Sequence, residues 1–502
     1  MNGLAASRGR FSTRYRSAAM LALLVPAVVL SLRPIDDVDI FWQVKLGQLL
    51  LEQGPDMTEP LCYRLAGQEM NRLGWLGQVG LAEVHRWGGW EAIQALHIGL
   101  YVTAFGMVWL RMRRGRIGPG VCVMALLLTF LPCMSNCSER PQTFAFAAFS
   151  VLVLAVEGQW KAWTYWGLVL PLFVVWQNVH PSLPVAAGVM AAMAVGRFAD
   201  RRWGRLQTPG RCRRPLATAI LAGAAVFATP DGAGIIELAA RNAEISRGLG
   251  IGEWLPAHAM LPATVGFWAV LGLCVAAWLR TRLRLPWAQV LPIVLLTVAS
   301  MYWTRMIVFW ALLVGPTLAR LLHRAVQVTF ISEPFPGTPR WSQRLHRAGV
   351  MVLAGSLVLA NPWVRPTVIW LPQSCRPLFD SQLPLAGVGA LKGVLSKGRI
   401  YNYREWAGLI AFAGAPDWQV AIDGRIYLHA PAVWQGYADA ALGGPTAQDV
   451  LLDDNIEALF LRPGHDAALI ELATRDSRWF NAYRDANCSV FLRRLDAVAS
   501  SQ

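Results

Sequence analysis

The chain has 502 residues, 55% of them hydrophobic and 15% charged, with 23 Trp and a formal net charge of +15. Soluble proteins carry about 25% charged residues, so this balance excludes an ordinary soluble domain. The aromatic and aliphatic content excludes a disordered chain. Apolar stretches near the ~20 residues a bilayer requires recur along it, which predicts a polytopic membrane protein.

Reading from the N-terminus, Arg8, Arg10, Arg14 and Arg16 precede the apolar run "SAAMLALLVPAVVLSL" at 17–32. No small-residue cleavage pattern follows, so this run reads as a first span that is retained. Directly behind it stands "RPIDDVDIFWQVKLGQ", residues 33–48, with Asp36, Asp37 and Asp39 at the exit and Phe41 and Trp42 next. Carboxylates crowded at a membrane boundary are costly unless a cation or a reaction uses them. Two amphipathic stretches come next. Val38, Trp42, Leu46 and Leu49 form one apolar stripe, and Leu76, Val79, Val84 and Trp87 form another. Neither is long enough to span, and both carry Trp on the apolar side, as helices lying in the membrane interface do.

Further apolar segments fall near 90–110, 118–133, 142–157, 162–178, 182–196, 215–229, 263–280, 286–303, 306–322 and 348–362. With the first they predict about eleven spans. Lys and Arg cluster before the first span and in 111–116, 197–214, 280–284 and 320–347. These are alternate loops, as cytoplasmic loops should be. The basic surplus is therefore topogenic, and nucleic acid is dropped as a partner. The N-terminus is expected to be cytoplasmic and the protein to sit in the cell (inner) membrane.

The opposite loops hold the unusual polar motifs: 34–89, "CMSNCSERPQ" (133–142), "QNVHPS" (177–182), 229–256 and "YWTRM" (302–306). Beyond about residue 370, short strand-like runs such as "RIYNYREW", "WQVAIDGRIYL", "EALFLR" and "CSVFLRRL" alternate with helical and turn signals. The expected architecture is an all-α polytopic membrane domain, 1–369, whose outer loop 34–89 carries two juxtamembrane helices. A small C-terminal α/β extracytoplasmic domain, 370–502, follows it. Cys122, Cys212 and Cys274 fall in spans or on the cytoplasmic side, where thiols are the default. Cys62, Cys133, Cys137, Cys375 and Cys488 fall outside, where Cys133–Cys137 and Cys375–Cys488 are the pairings considered.

This layout resembles the GT-C superfamily of integral-membrane glycosyltransferases, whose first outer loop has two juxtamembrane helices with acidic residues just after the first span. More narrowly it resembles a group of bacterial multipass proteins with the pattern D-x-D-x-W-W-H, then Gly and an Asn/His-Glu-Trp-Leu segment. Here these read "DVDIFWQ" (37–43), Gly47 and "NRLGWLGQV" (71–79). The group's R-P-Q, N-x-H, N-P-x-G and E-W read "ERPQ" (139–142), "NVH" (178–180), "TPDG" (229–232) and "EW" (253–254). Its Y-x-E-W-G-G and I-D-G-R read "YREWAG" (403–408) and "IDGR" (422–425). Gln43 stands for the usual His, Gly74 for the usual Glu, and Thr229 for the usual Asn.

The resemblance implies transfer of a sugar from a polyprenyl-phosphate-linked donor to a glycan, lipid or protein acceptor at the outer face of the membrane. Such transfer needs a base for the acceptor hydroxyl, cations for the departing phosphate and a pocket for the sugar. Asp37 and Asp39, with Asp36, are the candidate catalytic carboxylates; helix capping explains one of them but not three. No cofactor is required, and a divalent cation bridging Asp37 and Asp39 is chemically admissible. Arg305 and Arg140 are the candidate phosphate clamp, since the guanidinium fork matches phosphate, and headgroup anchoring is the alternative. His180, Asn178, Glu253, Trp254, Trp42, Glu405, Asp423 and Arg425 complete the candidate substrate-binding set. For Asn178 and His180 the alternative is satisfaction of helix-end carbonyls, and for "IDGR" an Asp-Gly turn. A transporter or flippase of lipid-linked intermediates and a non-catalytic envelope assembly protein are the rival functions.

Overall fold

The structure, a computed structural model, describes residues 2–115, 117–203, 213–329 and 340–494. Cys212 and the interiors of two basic loops lie outside these residues. In chain order the first helices are α1 (Asn2–Leu32), α2 (Asp39–Gln53), α3 (Trp75–Arg114), α4 (Pro119–Phe130) and α5 (Gln142–Glu157). Then come α6 (Ala162–Val179), α7 (Leu183–Arg202), α8 (Arg213–Ala225), α9 (Gly234–Gly248), α10 (Val265–Thr281), α11 (Trp287–Tyr302), α12 (Ile307–Thr329) and α13 (Arg340–Ala360). Every apolar segment read from the sequence lies on one of these helices. Among the described residues, four stretches are long and apolar enough to cross a membrane: Trp75–Arg114, Pro119–Asn136, Leu183–Arg202 and Thr304–Val328.

The chain divides into two units. The first gathers 1–33, 90–232 and 250–378, and its described regular elements are all helices. Its core is aromatic and aliphatic, with Phe146 and Phe149 both edge-on to Phe309, at 5.1 and 5.2 Å between ring centroids. Proline is tolerated inside α6, α11 and α12 at Pro171, Pro292 and Pro316, as in membrane helices whose neighbours re-satisfy the freed carbonyls. Helices α7 and α11 touch backbone to backbone at Gly196, where a Cβ would sit 2.4 Å from the Trp287 carbonyl oxygen. One turn on, the buried Asp200 carboxylate accepts the amides of Trp287 (2.7 Å) and Ala288 (3.1 Å). It thereby satisfies donors that the first turn of α11 leaves open. Arg365 is buried too and donates to the carbonyls of Ser31, Arg33 and Pro377.

The second unit gathers 34–89, 233–249 and 379–502. The expected amphipathic pair is present as α2 and the first part of α3, which breaks at Gly88 and Gly89 before continuing as the apolar stretch. Only Gly89 is left-handed there, at φ 66°. The tail adds α14 (Leu385–Val394), α15 (Ala407–Gly414), α16 (Pro431–Ala441), α17 (Pro445–Leu452) and α18 (Ala467–Arg475). These surround a five-stranded sheet of order β2-β1-β3-β5-β4. The strands are β1 (Gly398–Asn402), β2 (Trp418–Val420), β3 (Ala458–Leu461), β4 (Trp479–Arg484) and β5 (Ser489–Arg493). β1 pairs in parallel with β2 and β3, whereas β5 runs antiparallel to β3 and β4. Residues from 34–89 join this domain through backbone: Val420 donates to the Leu61 carbonyl at 2.8 Å, and Asp380 to that of Ile35 at 3.0 Å.

The described cysteines are not joined as disulfides, so neither of the pairings considered is formed. Cys133 and Cys137 each turn their sulfur to a carbonyl one turn back, Thr129 and Cys133 respectively. Cys488 is buried against Gly387, where its sulfur would lie 2.3 Å from an added Cβ.

Candidate active site

In the helical unit the loops that join helix ends converge on Glu253. Thr304 Oγ1 donates to the Gly252 carbonyl at 2.9 Å, and the Thr304 amide to that of Leu255 at 3.2 Å. This lacing presents Glu253 and Trp254 to Arg305. Arg140, just before α5, donates to one Glu253 oxygen at 3.3 Å, and Arg305 Nη1 lies 3.9 Å from the other. The Arg305 guanidinium stacks 4.4 Å over the Trp254 ring. Burial would raise the Glu253 carboxyl, but Arg305 and then Arg140 reverse this and hold it below its usual range.

His180 faces the same two arginines. Burial first, then the positive charges of Arg305 and Arg140, push its imidazole down to about 3, so the ring is neutral. Its Nδ1 is shut off from solvent and has no hydrogen-bond partner among the described residues. Asn178, in contrast, donates to the carbonyls of Val174 (2.9 Å) and Ala228 (2.6 Å), which is the helix-end role.

In the other unit the three aspartates separate. Asp37 is buried, and its Oδ1 accepts the Asp39 amide at 2.8 Å, serving the open start of α2. Asp39 Oδ1 accepts Trp42 Nε1 at 3.1 Å, one turn along the helix. Exposed Asp36 lines a cavity of about 280 Å³ with Asp380, Gln382, Glu405, Trp406 and Arg462. Arg462 lies 3.8 Å from Glu405 and donates to the Tyr403 hydroxyl at 2.9 Å. Two candidate carboxylates distant in sequence, Asp36 and Glu405, thus share one hollow with an aromatic wall.

The "IDGR" segment meets α2 through its glycine: a Cβ on Gly424 would lie 2.2 Å from Asp39 Oδ1 and 3.1 Å from Trp42 Nε1. Beside it, Arg425 and Asp423 are fully buried with Glu59. Arg425 donates to Asp423 Oδ2 at 3.0 Å through Nε and to both Glu59 oxygens. Although burial alone would lower it, the Arg425 guanidinium is held well above its usual value by Asp423 and Glu59. An Asp-Gly turn and an ion triad coexist here, since Asp423 Oδ1 also accepts the Arg425 amide at 2.8 Å. Glu59, Asp380, Gln382 and Arg462 were not singled out in the sequence; no motif or spacing marks them. Among the described residues no three His, Cys, Asp or Glu side chains converge as a metal-ligand set.

The fold of this chain is similar to that of solved structures of ArnT and of an oligosaccharyltransferase. ArnT from Cupriavidus metallidurans matches in its apo state with a TM-score of 0.56 and 12% identity, over 97% of this chain and 98% of that one. The same protein bound to undecaprenyl phosphate matches with a TM-score of 0.51 and 13% identity over the same shares. The Archaeoglobus fulgidus oligosaccharyltransferase matches with a TM-score of 0.52 and 12% identity, over 92% of this chain and 72% of that one. No family model matches the sequence, nor does any curated protein by sequence.

Proposed function

We propose that the protein is a membrane glycosyltransferase that takes a sugar from a polyprenyl-phosphate carrier and passes it to an acceptor at the outer face of the cell membrane, with the eleven apolar helices as its spans. The observation that carries this is the pairing of Arg140 and Arg305 around Glu253, with neutral His180 alongside, on a fold shared with a protein solved with undecaprenyl phosphate. The two guanidiniums would hold the donor phosphate, and Trp254, already stacked on Arg305, supplies an apolar face for the sugar.

In this reading the acceptor hydroxyl attacks the anomeric carbon while a carboxylate takes its proton. The bond to the phosphate oxygen breaks, and the phosphate leaves with the electron pair, neutralised by the arginines. Asp39 carries the base role and Asp37 places it, because Asp37 is engaged with the Asp39 amide. The hollow lined by Asp36, Glu405 and Trp406 would receive the acceptor.

The test is glycan and lipid analysis of a strain lacking the gene and complemented with wild type, Asp37→Asn or Asp39→Asn. Loss of one sugar modification in the deletion, restored by wild type and not by Asp39→Asn, is the expected result. Normal glycans in both variant strains would remove these residues as catalysts.

A further inference from the structure

The helices that end at Glu253 have their other ends around a second polar hollow. Arg140 precedes α5, which ends at Glu157; His180 precedes α7, which carries Arg197; Arg305 precedes α12, which carries Arg320. Fifteen residues separate Arg305 from Arg320, most of them in α12, which places the two about 20 Å apart along the axis at 1.5 Å per helical residue. At this far end lies a cavity of about 300 Å³, lined among others by Arg111, Arg114, Arg197, Arg320, Glu157 and Gln289. That volume is at the lower end of small-molecule sites.

Among the described residues the lining carries four arginines and one carboxylate. That carboxylate, Glu157, is gripped in a fork by Arg111, at 2.8 and 2.9 Å. Arg320 donates to Gln289 Oε1, to Thr317 Oγ1 and to the Pro316 carbonyl, all neutral. Arg114 donates to the Leu154 carbonyl at 3.3 Å. Nearby Asp200 is bonded to the two amides at the start of α11. Basic residues that only orient a membrane protein belong in the solvated loops. Here Arg111 and Arg197 are instead 8% and 7% exposed and face the bundle interior, where ionisable groups mark a site.

From this we infer that the cavity at the basic end of the helical unit binds a phosphate group, held by Arg320 and Arg114 with Arg111 and Arg197 behind them. An anionic phospholipid headgroup and inorganic phosphate both supply that chemistry. The site stands apart from the one proposed for the donor and does not depend on the glycosyltransferase reading.

The experiment uses the purified full-length protein in detergent, with melting temperature and native mass spectrometry as readouts. It is titrated with phosphatidylglycerol, with phosphatidylcholine and with inorganic phosphate. Phosphatidylglycerol that binds and raises the melting temperature, with phosphatidylcholine inert, identifies a lipid ligand; the same response to inorganic phosphate identifies the free anion. In either case Arg320→Gln and Arg114→Gln should each weaken that binding at least tenfold. Arg114 is exposed, so its variant tests the site where Arg320→Gln fails to fold. No response to either phosphate probe, or unaltered binding in the Arg114 variant, would overturn the assignment.

Discussion

Arg425 donates to both carboxylate oxygens of Glu59, at 2.7 and 2.6 Å, across 366 positions of sequence. With Asp423 it forms a buried triad that ties the first loop to the sheet domain within one unit. Removing the cation would strand two buried carboxylates, which costs about 3–5 kcal/mol. Arg425→Met should therefore lower the unfolding temperature of the detergent-purified protein sharply. Arg425→Lys should recover little, because an ammonium cannot reproduce the fork. Burial would raise the Asp423 carboxyl, but Arg425 outweighs it and holds it below 3.8. Its contribution is thus complete above pH 3.8 and is lost only as the pH falls through that lower folded value.

Two glycines of the tail should respond differently to alanine. A Cβ on Gly408 would meet the Val38 carbonyl oxygen at 2.5 Å, and backbone cannot yield easily. Gly408→Ala should cost about 1–3 kcal/mol of stability, typical of overpacking. On Gly424 the Cβ meets the Asp39 carboxylate, the movable end of a side chain. Gly424→Ala should leave the melting temperature nearly unchanged yet reduce sugar transfer by displacing Asp39. Equal transfer in that variant and wild type would detach Asp39 from the chemistry.

His180 gives a pH signature. Its imidazole is held down at about 3, whereas an unfolded histidine titrates near 6.5. Between these values the unfolded chain binds more protons, so stability is complete above pH 6.5 and declines as the pH falls toward 3. Melting temperatures measured across that range should show the decline, and His180→Gln should flatten it. An unchanged acid slope in the variant would assign the sensitivity elsewhere.

Around Glu253 the two arginines already share one internal carboxylate. Arg305→Ala or Arg140→Ala should weaken undecaprenyl phosphate binding by about tenfold or more, roughly 1.4 kcal/mol. Glu253→Gln removes the internal counter-ion and should tighten it. Titration calorimetry in detergent checks both directions.

The apolar helices and the strand-forming tail were legible because each depends on local periodicity, as in the run 306–322 that became α12. The convergence of Arg140, Arg305, Glu253 and His180 was partly legible, because all four sit in loops on the same side of the alternating charge pattern. What was not legible is long-range. Glu59 looks like any loop glutamate until Arg425 is placed against it, and Asp36 meets Glu405 only once the sheet domain is folded. The cysteine pairing stayed open in the sequence because spacing says nothing of where a sulfur points; Cys133 and Cys137 each turn to a helix carbonyl. Gly74 sits at φ 72°, so the Glu expected there by resemblance would occupy a backbone region that glycine favours.

The grip of Asp200 on the first two amides of α11 carries a mechanical corollary. Sliding α7 by one helical turn, about 5.4 Å, would break both bonds and drive backbone into backbone beside Gly196. Any rearrangement of the helical unit must therefore carry these two rods as a single strut, with the give coming from their other neighbours.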